Sequence, residues 1–369
     1  MNSGEPGDQD VTTAAPDDLV HRDRIRSAWQ GRVSGCQLGK PVELLSMREG
    51  RSALTDYLTL ADALPLRDYV PLVPNTTVAR HFPQFCRGGF ERSEPDDDIN
   101  YSVLALLLLE AHGADLTTED VARGWLRFLP GGIVFTAERE ALITLLQKST
   151  YGFTAGADAG FDLSECSDNV FNDWIGAQIR ADLYGWVNPG RPERAADLAR
   201  RDAELSHRAE GVYGAMAVAA IGAAVPFSDD LFDAVEAGLR TIPDGSDCAD
   251  AVRLGVRLAR AGEGPGEIHQ RYRDLSPVHT VNNLALVVWG LLAGADDFGA
   301  AIGETVAAGW DTDCNGATVG ALWGLTGRPI PDRWTEPWNG RIAVSLAGID
   351  ELDLDDLVDR TVAVTERLG

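Results

Sequence analysis

Carboxylates recur at three places in this 369-residue chain in patterns that suit cation chemistry. The last is Gly309-Trp310-Asp311-Thr312-Asp313-Cys314-Asn315-Gly316, where two aspartates stand one residue apart. Positions i and i+2 of an α-helix face nearly opposite ways. Asp311 and Asp313 can therefore serve one centre only from an irregular turn ahead of a helix, with Asp313 as the expected N-cap. An Asp-rich cap before a closely packed, Gly-rich helix is the plainer reading of the same residues. The middle cluster is Asp96-Asp97-Asp98, which opens a helix running through Val103 to Leu109 that is too apolar all round for a surface position. Its carboxylates gain roughly 0.3–1 kcal/mol each from the helix dipole, yet they repel one another, and a bound cation would relieve that repulsion. The first is Glu43, just beyond Lys40-Pro41. Together these are six carboxylates with no His or Cys ligand among them. An oxygen-only set favours hard cations, Mg²⁺ first, then Mn²⁺ or Ca²⁺. Four or five carboxylates would suit two ions about 3.5–4 Å apart.

The elements that must position these groups read as helix upon helix. The first is expected over His21 to Leu38. Gly31, Gly35 and Gly39 fall on one stripe of it, each costing up to about 1 kcal/mol against Ala; the stripe predicts a neighbour lying very close to the helix backbone. Lys40-Pro41 is expected to end this helix. Residues 45–93, broken by Pro65, Pro71, Pro74, Pro83 and Gly88-Gly89, read as a covering insertion with one or two short helices, a length that often serves as a lid. Further helices are expected near 117–129, 135–149, 172–186, 191–207, 210–224, 229–241, 247–262, 281–293, 297–308, 314–325 and 351–367, separated by Gly/Pro breaks. Alternating apolar strands are nearly absent and no fixed-period repeat stands out. The reading is all-α: one globular multi-helix domain over 21–369, preceded by a disordered tail over residues 1–20, which are rich in Asp, Gly, Pro, Ser and Thr.

The net charge of -25 and a pI near 4.5 repel phosphate backbones and argue against nucleic acid as a partner. The five cysteines are scattered without C-x-x-C spacing and suit a reducing compartment. The start of the chain lacks the basic and apolar segments of a secretory signal, and no membrane span is expected from an unbroken apolar run. These features predict a soluble cytoplasmic protein.

Taken in order, the motifs resemble those of the ADP-ribosylglycohydrolase family. Trp29-Gln30-Gly31-Arg32 through Gly35 and Gly39-Lys40-Pro41-Val42-Glu43 is similar to the family's opening motif. Asp97-Asp98 resembles its Thr-Asp-Asp metal motif, and Gly309-Trp310-Asp311-Thr312-Asp313 its Gly-Gly-Asp-Thr-Asp motif. Leu205-Ser206-His207 is similar to its Thr/Ser-His pair. The resemblance implies an all-α fold with a two-metal site at helix ends, usually holding two Mg²⁺, with Mn²⁺ as the alternative ion. It implies hydrolysis of a ribosyl N- or O-glycosidic bond in an ADP-ribosylated protein or a small molecule derived from ADP-ribose or NAD. By motif position Asp97, Asp98, Asp311 and Asp313 would hold the metals, with Asp96 a further oxygen donor, and Glu43 would act as acid/base or position the water. Asn100, Asn315 and His207 would contact substrate; for the two asparagines, local turn hydrogen bonds are an equal reading. Asp96, Ile99 and Cys314 depart from the family pattern. A non-catalytic ligand-binding relative and a phosphoester hydrolase using the same metals are the competing readings.

Overall fold

The computed structural model describes residues 16–369. The tail expected over 1–20 lies outside these residues as far as residue 15. From Pro16 the chain is already helical, and α1 (Pro16–Leu60) changes direction only at Gly50, where φ is 83°. The helices α2 (Thr77–His81), α3 (Asp97–His112), α4 (Thr118–Phe128) and α5 (Thr136–Lys148) follow. Next come the short α6 (Gly176–Ile179) and α7 (Asp182–Trp186), then α8 (Pro192–Ala203), α9 (Glu210–Ala224), α10 (Leu231–Leu239), α11 (Asp247–Ala261) and α12 (Gly266–Arg271). The series closes with α13 (Thr280–Ala293), α14 (Phe298–Ala308), α15 (Thr312–Gly324), α16 (Asp332–Thr335) and α17 (Leu354–Leu368). The all-α expectation holds.

The glycine stripe of α1 explains the centre of the molecule. It lies against the small residues of α15, Gly31 beside Gly320, Gly35 beside Gly316 and Gly39 beside Thr312. A Cβ built on Gly35 would sit 1.9 Å from the Gly316 carbonyl oxygen. Such backbone contact is open only to glycine. Around this pair, α9 and α13 are buried nearly throughout, and one apolar core runs from Ile25 to Leu368. The segment Glu210–Phe227 has the length and apolarity of a membrane span, but 72% of it is buried inside the fold, as suits a core helix.

Four expectations are corrected. Pro41 does not end α1, although a proline inside a helix costs about 3 kcal/mol. The glycine contacts run up to Gly39, two residues before it, and Thr312 Oγ1 donates to the Gly39 carbonyl at 2.8 Å, so tertiary packing overrides the local break. The first part of the 45–93 segment is consequently the end of α1, with only α2 and a 3₁₀ turn at Pro83–Phe85 beyond it. The single helix expected over 172–186 is split. The Ile179 carbonyl is taken by Arg32, and Arg180 turns inward to Glu138 and Asp202. Finally, an antiparallel hairpin of β1 (Arg341–Leu346) and β2 (Ile349–Asp353) precedes α17 and takes the first residues assigned to that helix. Its first strand is tied to the approach to α3: Ser93 N–H donates to the Arg341 carbonyl and Ser93 Oγ accepts from the Ala343 N–H.

Gly35→Ala is expected to destabilise the fold by about 3 kcal/mol or more. Gly132→Ala, where an added Cβ meets no atom within 4 Å, should change stability by less than about 0.5 kcal/mol. Urea unfolding of the two variants checks the contrast.

Candidate metal centre

Acidic residues from the three chain positions meet beside a cavity of about 850 Å³, which Glu43, Asp97, Asp313 and Cys314 help to line. Three local structures bring them there. On α1, Lys40 and Glu43 are one helical turn apart and share a face. At the start of α3, Asp96 is the N-cap, its Oδ1 accepting from the Asp98 N–H at 3.0 Å. Ahead of α15, Gly309 and Trp310 both have positive φ, 92° and 60°, which makes the irregular turn that the Asp-x-Asp spacing requires. A tryptophan rarely adopts this conformation; its ring packs on His269 with centroids 4.1 Å apart.

The helix beyond that turn begins at Thr312, so the N-cap position falls on Asp311 rather than on Asp313. The Asp311 carboxylate makes no capping hydrogen bond, and Asp313 sits in the first helical turn. Both are therefore freed for another purpose. Asp311 Oδ1, Asp313 Oδ1 and Asp98 Oδ2 are buried with no hydrogen-bond partner. Ligand atoms of Glu43, Asp311 and Asp313 lie within 4.8 Å of one another, and so do those of Asp98, Asp313 and Cys314 and those of Cys36, Asp96 and Asp98. Buried, unpaired carboxylate oxygens are costly, and a hard cation at Asp313, the residue common to two of these groups, would relieve that cost.

The electrostatics agree. Burial pushes the Asp97, Asp98 and Asp311 carboxyls well above the usual range, and neighbouring carboxylates push them further. Burial and then Asp313 raise Glu43 to about 8. Asp96 is the exception: burial would raise it, but the Lys40 ammonium and the Asp98 N–H outweigh that and leave it low. Burial and the surrounding carboxylates keep the Cys314 thiol protonated.

The sequence model of the ADP-ribosylglycohydrolase family matches residues 17–367. The chain belongs to the ADP-ribosylglycohydrolase family. Among solved structures it is similar to an "ADP-ribosylglycohydrolase-related protein complex", at 21% identity and a TM-score of 0.59, covering 95% of this chain and 100% of that one. No curated protein matches the sequence.

In this family member several further residues hold the acidic groups in place. Arg32, fully buried, donates to Asp98 Oδ1 and to the Asp98 carbonyl, each at 2.8 Å, and to Asp182 Oδ2 at 2.5 Å. Asp182 itself is raised to about 6 by burial, against the pull of Arg32. Asn283 ties the α13 and α15 starts together: its Oδ1 accepts from Asn315 Nδ2 at 2.7 Å, and its Nδ2 donates to the Pro277 and His279 carbonyls, both at 2.8 Å. In the sequence Arg32 stands inside the opening motif with nothing to mark its carboxylate partners, and Asp182 and Glu138 belong to no motif. An arginine between Gly31 and Gly35, in a stretch expected to pack closely on a neighbour, was the one available signal.

Three residues expected to contact substrate do not line this cavity. Asn100 Oδ1 accepts from the Ser345 N–H at 2.8 Å and so joins α3 to β1. Asn315 bonds Asn283 and does not line the cavity. His207 is buried against Ser206 Oγ at 2.8 Å and faces a different depression, beside Arg208. Glu138, which lines the main cavity, has its Oε1 3.8 Å from His207 Nδ1 and 2.5 Å from Arg180 Nη1.

Asp182→Ala removes one partner of a buried arginine and is expected to cost about 3 kcal/mol of stability. As a support to a ligating carboxylate it should also weaken Mn²⁺ binding about 10-fold or more, read by calorimetric titration. His269 is lowered to about 4 by burial and then by Arg51. Between about pH 6.5 and 4 the unfolded chain therefore takes up a proton that the folded one does not, and stability falls as the pH drops through that window. His269→Gln should flatten the corresponding fall in Tm.

Proposed function

We propose that this protein is a metal-dependent glycoside hydrolase. It would cleave the ribosyl N- or O-glycosidic bond of an ADP-ribosylated protein or of a small molecule derived from ADP-ribose or NAD. The observation that carries this reading is the placement of Glu43 beside the unpartnered oxygens of Asp311 and Asp313 at one cavity. Membership of the family supports the reaction class.

Asp98, Asp311 and Asp313, with Asp96 and Asp97 beside them, would hold the divalent cation, Mg²⁺ in first place and Mn²⁺ as the alternative. When bound, it supplies Lewis acidity and a fixed positive charge for ribose hydroxyls and a water. The chain's own residues do the rest. Burial and then Asp313 raise Glu43; a cation on Asp313 would offset the second effect, and a buried carboxyl held above its usual range can both give and take a proton. It can protonate the departing aglycone or take a proton from the attacking water, on either side of an oxocarbenium-like transition state. Phe82, Phe135, Trp174 and Tyr101 line the same cavity and offer ring faces to a base or a nicotinamide-like ring. Phe135 is 53% exposed and is followed by Thr136 at φ 42°. A β-branched residue rarely adopts that conformation, so the loop is held for a purpose at the cavity wall. Arg48 is the one arginine among the lining residues and suits a phosphate.

We also propose a cytoplasmic setting, which five free, buried cysteines suit.

Glu43→Gln, with the metal retained, should slow release of the aglycone by about 10²–10⁴-fold, and a chelator should stop it. Release at the unmutated rate would remove Glu43 from the chemistry. Product analysis separates the reactions: a freed aglycone marks glycoside cleavage, free phosphate a phosphoesterase.

A further inference from the structure

We propose that the Lys40 ammonium fills one of the two cation positions of this centre, so that the chain binds a single divalent ion. The inference rests on the metal reading above and concerns how many ions the site takes.

Lys40 Nζ lies 2.8 Å from Glu43 Oε2, 2.7 Å from Asp96 Oδ2 and 2.9 Å from Asp313 Oδ2. An ammonium has three donors, and here each meets a carboxylate from a different part of the chain: α1, the α3 cap and the first turn of α15. These are the groups that would otherwise bridge to a second metal. Divalent ions take carboxylate oxygens at about 2.0–2.6 Å. An ion using these three oxygens would have to stand where Nζ stands.

The lysine backbone is not free to withdraw. Gly39, one residue before it, is pressed on Thr312, and its carbonyl accepts from Thr312 Oγ1. Pro41, one residue after it, fixes the helix dihedral. Only 16% of the Lys40 side chain is exposed, so the ammonium is held among the carboxylates and away from bulk water.

The oxygens left over are different ones. Asp98 Oδ2, Asp311 Oδ1 and Asp313 Oδ1 are buried and unpartnered. Asp313 shares one close group of ligand atoms with Asp98 and another with Asp311, so it is the donor common to any hard cation placed here. Asp313 would serve both positions, with Oδ2 on Lys40 and Oδ1 on the ion. Arg32 holds the other oxygen of Asp98, which leaves Oδ2 as that residue's only open donor.

The test counts ions in the full-length protein. Stripped protein is equilibrated with Mn²⁺ and bound metal is measured per chain by mass spectrometry, with Mn–Mn coupling sought by electron paramagnetic resonance. Wild type should bind one Mn²⁺ without coupling. Lys40→Met and Lys40→Gln, each checked for folding by its thermal transition, should bind two. Two ions in the wild type overturn the proposal and leave the metal reading intact, and they do so without any variant. A single ion in a folded Lys40 variant also overturns it. No ion in any form overturns the metal reading itself, and the Lys40 proposal with it.

Discussion

The backbones of α1 and α15 touch, and the position of every group at the centre follows from that contact. Where Gly35 meets Gly316 no side chain fits between the helices. Each glycine costs helix stability when considered alone, so the pair is maintained by what its closeness allows. With the axes this near, the Thr312 hydroxyl reaches the Gly39 carbonyl, α1 runs on through Pro41, and Lys40 and Glu43 are carried to the mouth of α15. A wider separation would leave Glu43 and the Asp311–Asp313 pair on opposite sides of a gap.

That geometry gathers negative charge in the interior, and burying charge is expensive unless it is paired. The fold answers with cations at fixed places. Arg32 serves Asp98 and Asp182, Lys40 serves Glu43, Asp96 and Asp313, and Arg180 serves Glu138 and Asp202 behind the cavity wall. The N-termini of α3 and α15 add their dipoles, which favour carboxylates at those ends. Even so, Asp98 Oδ2, Asp311 Oδ1 and Asp313 Oδ1 stay without a partner at the centre, and Asp182 Oδ1 stays so behind it. The imbalance is local and specific, and it is the physical reason to read the cluster as a cation site rather than as acidic helix caps. Asp311 makes the point most directly: it occupies a cap position and caps nothing.

The departures from the family pattern take on different weights in three dimensions. Asp96 spends one oxygen on the α3 cap and the other on Lys40, so its carboxylate belongs to the ammonium. Cys314 lines the cavity as a neutral, buried thiol, a poor partner for a hard ion but an ordinary wall for an apolar group. Ile99 is fully buried in the core, where its change from a polar residue alters packing and leaves the ligand set alone.

The sequence by itself determined the helical class, most helix positions and the acidic motifs, because those follow from local periodicity, capping residues and Gly/Pro breaks. The helix at 117–129 is found at Thr118–Phe128 and that at 247–262 at Asp247–Ala261. Tertiary structure alone decided that Pro41 is passed, that α15 begins two residues early so that Asp311 becomes its cap, and that 172–186 breaks where Arg32 takes the Ile179 carbonyl. It alone turned Asn100, Asn315 and His207 toward structural partners. The reason is range. The Thr312–Gly39 bond joins residues 273 positions apart, and the Lys40–Asp313 pair an equal distance. A local pattern states what a segment prefers, whereas the partner that overrides the preference is known only once the chain has closed on itself.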